Sequence, residues 1–166
     1  MQWCDLAEVA ALEAATYPDD AWSEATWWAE LAGRPRRHYV VARFGAVRCA
    51  PIAGYAGIDI NGENADVMTI AVAPKHQGMG LGSVLLTQIH DAAGRRGARA
   101  MLLEVRADNP AALALYARHN YAQIATRSGY YVSGSSAGDP SDSIRHEGVD
   151  AMVMRRVLHR TGESDA

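Results

Sequence analysis

Three glycines at alternate positions follow an apolar segment and precede an amphipathic one. They are Gly78, Gly80 and Gly82, and the apolar segment ends at Val72. Glycine lets a backbone approach a ligand closely and adopt conformations that other residues resist. A helix that begins directly after such a loop offers free N–H groups and a partial positive charge to an anion. The spacing predicts a loop that cradles phosphate, with a tight strand-to-helix turn lacking a ligand as the simpler alternative.

Two other phosphate-binding loops do not fit this segment. A Walker loop ends in Gly-Lys-Ser/Thr, which is missing here. A dinucleotide fingerprint needs the spacing G-x-G-x-x-G and an acidic residue about 20 positions later. That later neighbourhood, Arg99 to Met101, contains no acidic residue.

A second set of polar residues lies a little further along the chain. Glu104 interrupts an apolar run, where a carboxylate is costly unless it meets water, a cation or a substrate. Asn109 and Tyr116 are about two helical turns apart and would share one helix face. Each residue also has a simpler interpretation: an edge glutamate paired with Arg106, a helix N-cap, and a core aromatic ring.

The spacing Gln77-x-x-Gly80-x-Gly82 resembles the coenzyme A loop of the GCN5-related N-acetyltransferase (GNAT) superfamily. The resemblance implies that the loop amides bind the pyrophosphate of acetyl-CoA and that the strand before the loop pairs with its pantetheine arm. The cofactor-binding residues it implies are Ile70, Ala71, Val72, Gln77, Gly78, Met79, Gly80, Leu81, Gly82, Ser83, Asn109 and Tyr116.

Residues 103–106 (Leu-Glu-Val-Arg), Asn109 and residues 112–116 (Ala-Leu-Ala-Leu-Tyr) resemble the RimI type of ribosomal-protein alanine N-acetyltransferase. The resemblance implies that Glu104 is the general base and Tyr116 the general acid. The chemistry is consistent with this, because an α-amine has a pKa of about 7.7–8.0 and must lose a proton before it attacks. The leaving thiol has a pKa of about 8.5 and can take a proton from a hydroxyl group.

Residues 127–131 (Arg-Ser-Gly-Tyr-Tyr) resemble the hairpin that borders the peptide groove of the same family. The resemblance makes Tyr130 and Tyr131 candidate substrate contacts. A surface strand pair with one ring buried is the alternative.

Helical and strand patterns alternate along the chain. Apolar periodicity predicts helices over 5–14, 23–31, 82–96 and 109–119, and β-branched runs predict strands over 38–44, 51–60, 65–72, 100–105, 121–132 and 149–158. The residues Asn61-Gly62 predict a hairpin turn. Ser23 and Asn109 are predicted N-caps. The predicted apolar faces are Trp27, Trp28 and Leu31 on one helix, and Val84, Leu85, Ile89, Ala92 and Ala93 on another.

This order predicts a mixed α/β (α+β) fold, with a central, mostly antiparallel sheet flanked by helices. The resemblance implies the GNAT fold, with a β-α-β core that binds coenzyme A. We expect one acetyltransferase domain over residues 1–158 and a polar tail over 159–166. The polar loop over 133–147 is longer than is typical of the family.

Composition excludes several classes of protein. The net charge of −3 gives no overall drive toward nucleic acid or membrane. No apolar run reaches the roughly 20 residues of a membrane span, and the first residues do not resemble a signal peptide, so we expect a cytoplasmic protein. Cys4 and Cys49 lack ligand spacing, which predicts two buried or half-buried free thiols and no metal site.

The predicted function is direct transfer of acetyl from acetyl-CoA to the N-terminal alanine of a small-subunit ribosomal protein. Both cysteines lie outside the motifs, which argues against a covalent acyl-enzyme. Three alternatives stay open: a lysine side chain as acceptor, a small-molecule amine as acceptor, and a non-catalytic acyl-CoA-binding module. The oligomeric state is also open.

Overall fold

The computed structural model describes residues 1–18, 21–44, 50–131 and 148–158. The helices in these residues are α1 (Leu6–Thr16), α2 (Glu24–Ala32), α3 (Leu81–Arg95) and α4 (Pro110–Arg118), with short 3-10 turns at Trp3–Asp5 and Pro74–His76. The strands are β1 (Arg37–Arg43), β2 (Ile52–Asn61), β3 (Asn64–Val72), β4 (Ala100–Arg106), β5 (Ala122–Tyr131) and β6 (Val149–Val157). Every predicted element is present. None of the described helices is long and apolar enough to cross a membrane.

The described residues divide into two compact units, Met1–Met101 with Val157 and Leu158, and Leu102–Arg156. In the first unit the strand order is β1-β2-β3, and both neighbouring pairs are antiparallel. In the second unit the order is β4-β6-β5, and β5 pairs with β6 in antiparallel orientation. One acetyltransferase domain over 1–158 stays a prediction. The polar loop 133–147 and the tail 159–166 lie outside the described residues.

The predicted helix starts and hairpin turn are present. The Ser23 side chain accepts a hydrogen bond from the Thr26 N–H at 3.1 Å. The Asn109 side chain likewise accepts one from the Ala112 N–H at 3.0 Å. Both N-caps are therefore confirmed, because each satisfies a first-turn N–H that has no partner inside its helix. At the hairpin turn, Gly62 has a φ of +63°.

The core of the first unit is built around Trp27. Its ring meets Tyr39 edge-on at 5.6 Å and Tyr55 edge-on at 5.4 Å, measured between ring centroids. Edge-on aromatic pairs add to the stabilisation that comes from burying their surface. A Cβ at Gly57 would overlap the Tyr39 ring, so only glycine fits at that position of β2.

Three predicted placements are wrong. Val84 is 54% exposed, since it lies on the side of α3 opposite the buried stripe of Leu85, Leu86, Ile89, Ala92 and Ala93. Trp28 is 47% exposed, because it is rotated by about 100° from the buried Trp27 on the same helix. Cys4 lies in the first 3-10 turn and is an exposed free thiol. Cys49 is outside the described residues.

Glu13 brings a carboxyl group into the apolar core. Its side chain is 3% exposed. Glu13 Oε2, Trp27 Nε1 and the Tyr55 hydroxyl are all buried, and none of them makes a hydrogen bond of ordinary geometry in the described part of the chain. Burial raises the pKa of Glu13, and polar groups of Trp27, Trp22 and Tyr55 oppose that shift only in part. Burial disfavours the charged form of a carboxyl group, so ionised Glu13 should destabilise the fold.

We expect Glu13→Gln to be more stable than the wild type at neutral pH and equally stable in acid. The raised pKa means that folding favours the protonated carboxyl. The stability this contributes is complete below the unfolded pKa of about 4.3 and is lost as pH rises through the folded pKa. Urea denaturation of both proteins between about pH 4 and about pH 7.5 measures the difference. Glu63→Gln, which changes an exposed glutamate, is the control. Parallel pH profiles for Glu13→Gln and the wild type would contradict the assignment.

Candidate functional site

The predicted phosphate loop connects β3 to α3. A 3-10 turn covers Pro74–His76, and α3 begins at Leu81 with Gly80 as its N-cap. Gly78 and Gly80 have φ angles of +76° and +80°. Side chains resist this left-handed region, which is the physical reason for a glycine at each position.

Space and polarity at this loop suit an anion. A Cβ added at Gly78 or Gly80 would meet no atom within 4 Å. No acidic side chain stands in the first turn of α3. The first N–H groups of an α-helix lack intrahelical partners and lie at the positive end of its dipole. The N–H groups of Leu81, Gly82 and Ser83 are therefore suited to bind a phosphate.

The ladder between β2 and β3 decides which backbone groups of β3 face a ligand. The Ala73 N–H donates to the Ala53 carbonyl at 2.9 Å, and the register from there back to Ile70 is unbroken. In antiparallel ladders, residues alternate between directing both polar groups at the partner strand and directing both away. The backbone of Ala71 therefore pairs with β2, whereas the N–H and C=O groups of Ile70 and Val72 face away from it.

Two side chains contact these outward carbonyls. The Tyr17 hydroxyl donates to the Ile70 carbonyl at 3.0 Å, and Gln77 Nε2 donates to the Val72 carbonyl at 3.2 Å. Gln77 therefore ties the loop to the end of β3. Sequence reasoning missed Tyr17, which is 53 residues from Ile70, and no local pattern signals a contact over that distance.

Glu104 lies on β4 between the buried residues Leu103 and Val105. Its Oε1 accepts a hydrogen bond from Arg127 Nη1 at 2.7 Å. Glu104 is thus a salt-bridged strand residue, as its simpler interpretation allowed, with Arg127 as the partner in place of Arg106. The Arg106 guanidinium donates two hydrogen bonds, at 2.9 and 2.8 Å, to Asp108. A planar guanidinium binds one carboxylate best in this two-pronged way.

The two predicted site residues on α4 take the structural roles that the sequence also allowed. Asn109 is the N-cap, as described above. Tyr116 is buried near the end of the helix, where its ring meets that of Tyr121 edge-on at 5.6 Å between centroids. Burial and the edge-on contact fix the direction of the Tyr116 side chain.

A bulge in β5 places Tyr130 beside Arg127. The register with β6 shifts between Arg127 and Tyr131, and Gly129 inside the shift has a φ of +64°. The Gly129 N–H donates to Asp150 Oδ1 at 2.9 Å, which fixes the bulge. The Arg127 guanidinium then lies over the exposed Tyr130 ring, 3.9 Å from its centroid. Tyr131 ends β5, and its substrate contact stays a prediction.

Other parts of the described chain offer no comparable site. No group of three or more His, Cys, Asp or Glu residues in the described ranges is placed to hold a metal ion. A surface groove of about 550 Å³ is lined by Gln2, Trp3, Trp28, Leu31, Ala32 and Arg34. None of the predicted site residues lines that groove.

Most of the chain matches one known protein family. The profile of the acetyltransferase (GNAT) family matches residues 3–121. The chain belongs to this family and is an N-acetyltransferase, which confirms the resemblance found in its motifs. Members of the family use acetyl-CoA. The predicted mixed, mostly antiparallel sheet flanked by helices is confirmed as well.

Individual relatives narrow the class to the RimI type. N-alpha-acetyltransferase RimI of Mycobacterium tuberculosis is 42% identical over 150 residues, which cover 82% of this chain and 90% of that protein. The crystal structure of the ribosomal-protein-S18-alanine N-acetyltransferase from Escherichia coli matches 100% of this chain and 96% of its own, with a TM-score of 0.78 and 26% identity. Naa20 of Chaetomium thermophilum shares the fold at a TM-score of 0.76 and 24% identity, over 96% of this chain and 85% of its own.

We expect Gly80→Val to abolish binding of coenzyme A. A left-handed φ strains an L-residue by roughly 1–2 kcal/mol, and the new side chain would fill the open space over the start of α3. Isothermal titration calorimetry with coenzyme A measures the loss. The control is Gly97→Val, because Gly97 follows the same helix with a φ of +89° and equally open surroundings. Gly97→Val should lose similar stability and keep its affinity. Equal affinities in the two variants would contradict a phosphate-binding role for the loop.

Proposed function

We propose that this protein transfers acetyl from acetyl-CoA directly to the N-terminal α-amine of a protein, namely an alanine at the start of a small-subunit ribosomal protein. The observation that carries the proposal is the open loop of Gly78 and Gly80 at the N-terminus of α3. The choice of acceptor is supported by the relatives, one of which is named as the S18-alanine N-acetyltransferase of Escherichia coli.

The residues of the first unit fit a pyrophosphate and an extended amide chain. In our proposal the N–H groups of residues 78–83 bind the pyrophosphate, and the exposed Met79 covers it. The outward-facing backbone groups of Ile70 and Val72 pair with the amides of the pantetheine arm, as strand neighbours do. Ala71 contributes a small buried side chain to this part of β3 rather than a backbone contact.

In the second unit we assign proton transfer to two side chains. When bound, acetyl-CoA supplies an acetyl group activated as a thioester. Glu104 accepts the proton that the acceptor's ammonium group must lose before its nitrogen attacks the acetyl carbon. The nitrogen loses a second proton as the amide forms, which balances the proton that Tyr116 gives to sulfur. The Tyr116 hydroxyl donates a proton to the sulfur as the carbon–sulfur bond breaks. Asn109 holds the start of α4 and thereby supports Tyr116.

Acetyl transfer from labelled acetyl-CoA to two peptides tests this function. One peptide begins with the free ribosomal alanine, and the other has a blocked N-terminus and free lysines. Acetylation of the first peptide alone supports the proposal, and acetylation of the second alone reassigns the acceptor to lysine. If neither peptide reacts while coenzyme A binds, the acceptor is a small amine or a folded protein, or the chain is a non-catalytic binding module.

We expect Glu104→Gln to lower turnover by about 10²–10⁴-fold, the usual contribution of a general base. The loss should be largest below the pKa of the amine, where the amine carries its extra proton. Affinity for acetyl-CoA should change little. The control is Glu63→Gln, because Glu63 is also exposed and also pairs with an arginine, Arg99. Steady-state rates across pH measure the effect, and an unchanged pH profile would remove Glu104 from the role of base.

We expect Tyr116→Phe to slow the chemical step and leave the fold intact. The ring and its packing against Tyr121 are kept, and only the proton donor is lost. Single-turnover rates and the melting temperature separate the two effects. Tyr121→Phe is the matched control, because it removes a buried hydroxyl from the same ring pair. A rate for Tyr116→Phe equal to that of the wild type would exclude the acid role.

A further inference from the structure

The proposed base does not stand alone in this structure. Glu104 Oε1 lies 2.7 Å from Arg127 Nη1, and the same guanidinium covers the face of the Tyr130 ring at 3.9 Å. A carboxylate and an aromatic face are the two groups that bind organic cations best. Arg127 therefore occupies a site whose chemistry would also bind an ammonium group.

The local backbone fixes this arrangement. Thr126 and Arg127 pair in regular register with β6, and the bulge at Gly129 then turns the chain so that Tyr130 meets Arg127. Asp150 on β6 accepts a hydrogen bond from the Gly129 N–H through its Oδ1 atom, and this contact holds the bulge. The carboxylate of Glu104 is the one that pairs with Arg127.

The ion pair is exposed enough to exchange. The Arg127 side chain is 49% exposed and that of Glu104 is 35% exposed. Exposed ion pairs are weak, because water and salt screen both charges.

We propose that Arg127 is a resident cation that the acceptor's ammonium group displaces from Glu104 and Tyr130 before acetyl transfer. The inference rests on the proposed function. Displacement puts the ammonium N–H against the carboxylate, and one proton then passes from nitrogen to Glu104. The site thereby selects a compact primary ammonium, which can contact the carboxylate and the ring face together. Arg127 is a specificity-determining residue that acts by competition with the acceptor.

Arg127→Gln tests this competition, since it removes the cation and keeps a polar side chain of similar length. The KM for the alanine peptide should fall by about two- to five-fold, the range that corresponds to the strength of exposed ion pairs. The KM for acetyl-CoA should not change. Arg127→Lys restores a resident cation, so its peptide KM should return toward the wild-type value. Arg99→Gln removes another exposed arginine–glutamate pair and should leave both KM values unchanged.

A binding measurement separates this inference from the proposed function. Alaninamide carries the same ammonium group, and NMR titration follows its binding without turnover. It should bind more tightly to Arg127→Gln than to the wild type, and methylguanidinium should displace it from the variant. If the peptide is not acetylated but this difference appears, the proposed function fails and the competition stands. If alaninamide binds both proteins equally, or the peptide KM rises in Arg127→Gln, the competition is overturned.

Discussion

The change of direction from β3 into α3 depends on two residues that hold a positive φ. Gly78 and Gly80 adopt a backbone conformation that L side chains resist, and the helix then begins at Leu81. This constraint has two consequences. The open N-terminus of α3 becomes available to an anion, and Leu85 and Ile89 are directed into the core of the first unit. A side chain at Gly80 would oppose both the turn and the ligand.

In the first unit, alternate residues of β3 have different roles. One set of backbone groups pairs with β2, and the other set is left to bind a ligand. Ala71 directs its polar groups to β2 and closes the ladder, while Ile70 and Val72 direct theirs away. Tyr17 reaches the Ile70 carbonyl from the end of α1. The same helix carries the buried Glu13, whose carboxyl group is costly in an apolar core. Polar groups are thus concentrated where α1 ends, beside the strand to which we assign the cofactor arm.

In the second unit, the contacts of Arg127 with Glu104 and Tyr130 are weak enough for another cation to replace Arg127. Glu104, Arg127 and Tyr130 form a carboxylate, a cation and an aromatic face in contact. A fully buried ion pair would be difficult to separate, because each charge would lose its partner in a low-dielectric environment. Because both side chains are partly exposed, water solvates the two charges whether the ion pair is formed or separated. The bulge at Gly129 supplies the geometry without burying the charges.

Local chemistry explains what the sequence by itself determined. The glycine spacing, the N-caps Ser23 and Asn109, the Asn61-Gly62 turn and the order of elements all depend on residues close together in the chain. The mixed α/β fold and the family were predictable for the same reason, because the glycine loop and the Glu104 strand are continuous segments.

Tertiary structure decided the contacts that no local pattern encodes. Periodicity locates an apolar face only to within about one residue, so the exposure of Val84 and Trp28 depended on how α3 and α2 rotate against the sheet. The partner of Glu104 is Arg127, 23 residues away, and the partner of Ile70 is Tyr17, 53 residues away. Such pairs form only when strands and helices assemble, because their geometry is set by register and packing rather than by spacing along the chain.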